Sequence, residues 1–157
     1  DFSKAELRGA TFSGATLAEG SFVQAAAARA NFSQTKATKA DFSKAELCDA
    51  TFSGTTLEQA SFVEAAAKMA DFSQACMQSA TLSGATLTKA SFKLAVAPMA
   101  DFGKANLQGT DLTGADLRGA KFAGALNLRD ATFDNLRGAI LDGLDMTGVD
   151  LRGKDLH

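Results

Sequence analysis

Few side chains in this chain could do chemistry, and they are scattered. The 157 residues include one histidine, His157, at the end. A single imidazole with no cluster of ligands beside it argues against a metal centre. It also leaves a histidine-based nucleophilic triad without a base in any useful place. The glycines recur at intervals of five and form no phosphate-binding loop. The 18 Asp and Glu residues recur with the same interval, which reads as a solvated face and turn hydrogen bonding rather than an acid–base pair. Taken together, these features predict a protein that is not an enzyme and takes no cofactor. A small-molecule ligand is equally unexpected.

Charge and hydropathy narrow the partners. Sixteen basic and 18 acidic residues leave a net charge of −2. Binding to nucleic acid or an anionic membrane needs clustered positive charge, which that balance does not supply. No apolar run approaches the roughly 18 residues of a membrane span. With 46% apolar and 22% charged residues the composition is globular, and the length suits one domain, taken as residues 1–157. Asp1 is not an initiator methionine and already lies within a repeat. A chain trimmed from a longer protein, with a cap or leader missing, is therefore expected.

What positions the outward side chains is the repeat itself. Starting at Phe2 and stepping by five gives Phe2, Leu7, Phe12, Leu17, Phe22, Ala27, Phe32 and so on to Phe122, all 25 apolar. Two residues before each centre runs a second series. Its 25 members are Ala except Gly20, Thr35, Thr55 and Thr110. A period of five fits neither a helix nor a flat strand. It fits a chain that bends after each short extended piece and points every centre inward. The recurrent Gly after the centre supplies freedom for that bend. The small residue fits where walls converge. Stretches such as "SFVQAAAARANF" (residues 21–32) have strong helix formers, yet the frame runs through them unbroken, so they read as wall.

The units "ANLQG", "TDLTG", "ADLRG" and "VDLRG" resemble the pentapeptide-repeat family, with its A-(D/N)-L-x-x consensus, and the resemblance covers essentially the whole chain. The fold it implies is all-β: a right-handed quadrilateral β-helix with 20 residues per coil and about seven to eight coils, a rod about 35 Å long. Dealing the centres into four columns supports four walls. Phe dominates the first (Phe2, Phe22, Phe42, Phe62, Leu82, Phe102, Phe122) and third (Phe12, Phe32, Phe52, Phe72, Phe92, Leu112). The second and fourth contain only Leu, Ala and Met, as a filled core of fixed width requires. A longer duplication lies on top: residues 1–34 and 41–74 match at 24 of 34 positions, two coils apart. Cys48 and Cys76 should face outward from opposite walls, beyond the roughly 7 Å reach of a disulfide.

The frame breaks once, over residues 126–140. The step from Phe122 to Leu128 is six, and eight residues separate Phe133 from Leu141. This segment is expected to hold a bulge and a short loop at an outer corner.

With no chemistry to place, outward apolar residues become the candidate contact site. Val23 and Val63 form one group with Met69 and the methyls of Ala26, Ala28 and Ala66. Leu94, Val96, Pro98 and Met99 form another, on the third and fourth walls. They predict a protein-interaction or scaffold module, since repeat rods bind along their walls. The resemblance is closer to cyanobacterial and plastid members. It implies a thylakoid-lumen, photosynthetic setting, with bacterial cytoplasm as the alternative. It also implies a second function, a DNA mimic acting on a type II topoisomerase. A mimic 35 Å long needs roughly 20 excess negative charges, which a net of −2 does not approach.

Overall fold

The computed structural model describes residues 1–134, 136–149 and 151–152. The chain winds into a right-handed, four-sided β-helix. Each wall is one five-residue unit. The residue before each centre pairs in parallel with its equivalent 20 positions on: Glu6 with Ala26, Thr11 with Asn31, Thr16 with Lys36, Ser21 with Asp41, and onward to Asn106 with Leu126. Coils are numbered here from residue 1, 20 residues each, and walls 1 to 4 carry the columns led by Phe2, Leu7, Phe12 and Leu17.

Backbone accounting explains the unit. In the second coil the centre N–H of Phe22 donates to Asp41 O at 2.7 Å, the corner N–H of Gln24 to Ser43 O at 3.0 Å, and Ala25 N–H closes the turn on Phe22 O at 3.0 Å. The residue before each centre donates backwards, as Asp41 N–H does to Gly20 O at 2.9 Å. That leaves the N–H just after the centre, which lies outside the ladder. An Asp or Asn before the centre caps it: Ser33 N–H on Asn31 Oδ1 at 2.9 Å, Ser43 N–H on Asp41 Oδ1 at 2.8 Å, Gly103 N–H on Asp101 Oδ1 at 2.8 Å. The carboxylates are therefore turn acceptors first.

The corners differ from expectation. From Lys4 to Gly124 every fifth residue is left-handed, with φ between 56° and 72°. Only eight of these corners are glycine; the rest include Lys, Gln, Glu, Arg, Met and Leu. Left-handed backbone costs about 1–2 kcal/mol at a non-glycine residue. Glycine is thus not what makes the bend; hydrogen bonds to the coils above and below hold it.

The core is built from rings. Phe2, Phe22, Phe42 and Phe62 stack along wall 1, and Phe12, Phe32, Phe52, Phe72 and Phe92 along wall 3, with centroids 4.7–5.0 Å apart. That is the interstrand spacing. The two stacks also meet each other edge to face at the centre of the rod, as Phe42 and Phe52 do at 5.2 Å and 86°, the geometry aromatic quadrupoles favour. Walls 2 and 4 fill the remaining width with Leu, Ala and Met. The inward threonines are buried with their hydroxyls satisfied: Thr35 and Thr55 both donate to Phe32 O, at 2.9 and 2.7 Å, and Thr110 donates to Leu87 O at 2.8 Å.

Residues 126–140 hold two opposite corrections, a one-residue bulge and then, in place of the expected loop, a shortened wall. An unbroken frame would bury Asn127 as a centre. Instead a 3₁₀ turn, Leu128–Asp130, follows Asn127 (φ 59°), and Leu128 takes the slot at 2% exposure. The next bridge, Asp111 with Thr132, is therefore offset by 21. Stepping five from Phe133 would then offer Gly138, which fills nothing. Leu136 is drawn in instead, 2% exposed, and the following bridge, Lys121 with Ile140, is offset by 19. The eight-residue gap was thus a shortened wall with a hidden centre. The carboxylate of Asp134 accepts Gly114 N–H at 2.9 Å; its counterpart Gly14 N–H uses the carbonyl of Ser33.

Candidate interaction surface

The walls present two outward files each, one either side of the buried centres. The first expected group of contact residues is dispersed by them. Val23 and Val63 are half-buried on wall 1, with Ser43 in the file between them. Ala28 and Ala66 are half-buried on wall 2, and Ala26 is buried at 9% exposure. Ala26 is flanked by an ion-pair triad. Arg8 reaches Glu6 at 2.6 Å and Glu46 at 3.1 Å, and Ala26 lies between those glutamates in the file. The salt bridge roofs the methyl that the sequence placed on the surface. Met69 alone of this group is well exposed, at 51%, on the corner between walls 2 and 3.

The second group holds together. Leu94, Val96 and Met99 are 59%, 44% and 61% exposed, and Pro98 is half-buried. All four lie in coil 5, Val96 and Pro98 on wall 4 and the other two at its corners. Proline is tolerated because its position is the one whose N–H takes no part in the ladder, while its carbonyl still accepts Ser79 N–H at 3.0 Å. On the next coil the corners are bare. A Cβ on Gly114 would sit 2.7 Å from Leu94 Cδ2, and one on Gly119 3.4 Å from Met99 Cγ. The long side chains lean over these glycines. Leu126 and Ile140, 56% and 42% exposed, add apolar surface outside both expected groups. They occupy ladder positions where the other coils are mostly polar.

Charges are paired locally and mixed in sign. Arg118 grips Asp116 through Nε and Nη2 at 2.8 and 2.7 Å. That hydrogen bond chiefly holds the Asp116 carboxyl below the ordinary range and the Arg118 guanidinium above its own. Asp111 is also lowered: burial pushes it up, but hydrogen bonds from Thr113 and Lys93 outweigh that. Lys93 lies 3.1 Å from it. Cys48 and Cys76 are free. Among the described residues no group of His, Cys, Asp and Glu could hold a metal, and no helix is long and apolar enough to cross a membrane. His157 lies outside the described residues. The clefts are open and shallow; one, about 320 Å³, is lined by Leu126, Arg129, Asp145 and Thr147 at the frame break.

The family model for pentapeptide repeats matches eight copies, over residues 28–63, 68–95, 100–135 and 127–156. The chain belongs to the pentapeptide-repeat family. Pentapeptide-repeat proteins are structural repeat proteins, generally non-enzymatic. Comparison with curated proteins gives no match. Among solved structures, this pentapeptide-repeat protein is similar to trypsin-treated QnrB1, a plasmid-mediated fluoroquinolone resistance protein, with TM-score 0.53, 23% identity, and 99% and 86% of the two chains covered. At that identity the likeness speaks for the fold. HetL, involved in heterocyst differentiation regulation in the cyanobacterium Nostoc, gives TM-score 0.46 and 25% identity over 98% and 81% of the chains. A pentapeptide-repeat protein of the Arabidopsis thaliana thylakoid lumen gives 0.42 and 29% over 72% and 68%.

Proposed function

We infer that this chain is a non-enzymatic scaffold that binds protein through the outer walls of its rod. The observation that carries the reading is the coil-5 band, Leu94, Val96, Pro98 and Met99, where three large apolar side chains on one wall stay 44–61% exposed. Contiguous apolar surface on a rigid wall marks contact sites more often than isolated apolar residues do. A photo-crosslinking residue at position 96, in cells, should yield adducts, while one at half-buried position 23 yields few. No adduct at position 96 overturns the reading. The lumenal, photosynthetic setting rests only on the resemblance of the repeats.

A second reading, inhibition or protection of a type II topoisomerase by DNA mimicry, draws on the rod shared with QnrB1. Mimicry needs one strongly negative wall. The most acidic file set here, wall 1, offers Asp1, Asp41, Asp101 and Asp142 against Lys121, far from the density of a DNA strand. A gyrase supercoiling assay tests this reading, with sub-micromolar inhibition in its favour.

A further inference from the structure

We propose that wall 4 is a self-docking face, on which two copies of the chain pack side by side, parallel, about a two-fold axis running along the rod. The proposal rests on the protein-contact reading above and names the partner.

The file before the wall-4 centres reads Thr16, Lys36, Thr56, Cys76, Val96, Asp116, and the file after them Ala18, Thr38, Glu58, Gln78, Pro98, Arg118. A two-fold axis along the rod sets each coil against the same coil of the other copy and exchanges the two files. In coil 5, Val96 then meets Pro98 and Leu94 meets Met99, so the apolar band closes on itself. In coil 6, Asp116 meets Arg118 twice. Within the chain Arg118 already uses Nε and Nη2 on Asp116. Both Nη1 protons and the second Nη2 proton are left to reach the facing carboxylate, so four charges alternate around a ring. In coil 3, Glu58 meets Thr56, and the partner's Lys36 stands one strand spacing away, about 4.8 Å, with opposite sign.

From coil 1 to coil 6 no facing pair brings like charges together. The corners obey the same rule: Gly14 meets Glu19, Gln34 meets Lys39, Gly54 meets Gln59, Gln74 meets Ser79. Such self-complementarity is the requirement of a two-fold contact. A face about 16 Å wide and about 30 Å tall covers about 500 Å² a side. The total, about 1,000 Å², is at the small end of specific interfaces, so the dimer is weak and concentration-dependent.

Sedimentation velocity on the full chain, from micromolar to millimolar concentration, tests this. Wild type should pass from monomer to dimer. Asp116→Arg and Arg118→Asp should each weaken dimerisation at least tenfold, because each sets like charges face to face. An equimolar mixture of the two variants should dimerise again, as should the double swap in one chain. Circular dichroism confirms that each variant is folded. The proposal is overturned if wild type stays monomeric throughout, if the mixture associates no better than its components, or if Val96→Asp leaves the dimer intact. A monomeric chain that still crosslinks through position 96 to a different protein sinks self-docking and leaves the scaffold reading standing. The scaffold reading fails separately, on the absence of any adduct in cells.

Discussion

Up to the pairing of Asn106 with Leu126 the bridges join residues 20 apart; beyond it the offsets become 21 and then 19. The regular coils and the broken one nonetheless bury the same kind of residue. Leu128, Phe133 and Leu136 are each 2–3% exposed, although they are spaced by five and three rather than by five throughout. What the fold holds constant is the filled core slot, and spacing gives way to it. Asn127 or Gly138 in the core would leave a buried amide or a void, each costing more than a distorted corner. The price appears in the hydrogen bonding: the regular corners use backbone carbonyls, while Gly114 borrows the carboxylate of Asp134.

The largest test of this comparison is ring deletion. Phe52 is fully buried between Phe32 and Phe72, so Phe52→Ala should cost about 3–5 kcal/mol in denaturant unfolding. Leu136→Ala should cost about 2–3 kcal/mol, because the broken coil can partly collapse onto the smaller side chain. Equal costs would mean that the broken coil is packed as rigidly as the regular ones. Asp134→Ala should come next, at about 1 kcal/mol, by leaving the exposed Gly114 N–H to water in place of a charged acceptor; native-state hydrogen exchange should show faster exchange at Gly114 and not at Gly54.

Acid unfolding separates the regions differently. The folded-state carboxyls of Asp111 and Asp116 are lowered. Their contribution is therefore present above the unfolded value of about 3.9 and is lost as pH falls through the lower folded value. Stability should be flat above about pH 4 and decline below it, and Asp116→Asn should flatten part of that decline in thermal melts at pH 2–4. The smallest effect is at a corner. Gln59 has φ 58°, so Gln59→Gly should raise stability by about 0.5–1 kcal/mol, the relief of left-handed strain slightly exceeding the added chain entropy. A fall in melting temperature would show that the entropy glycine adds to the unfolded chain outweighs the strain it relieves.

Much of the architecture was legible. The step of five exposed the centres, the four columns separated Phe walls from Leu and Ala walls, and the alanine series marked the converging corners. Leu136 was missed because the gap from Phe133 to Leu141 looked like added chain. The available signal was a vacancy in the wall-4 column between Leu117 and the chain end. Outward exposure was legible only in part: Leu94, Val96 and Met99 of coil 5 do stand exposed, whereas the methyls of coil 2 are not the open patch they seemed.

By itself the sequence determined the period, the wall count and the identity of the core, because side-chain volume must close a cross-section of fixed width in every coil. Only the tertiary structure decided which outward residues meet water. Exposure on a solenoid depends on neighbours one or two coils away, as when Arg8 reaches Glu46 across Ala26 or Leu94 leans over Gly114. It also decided that the corners are left-handed whatever residue stands there, since hydrogen bonds from adjacent coils outweigh the preference of any single residue.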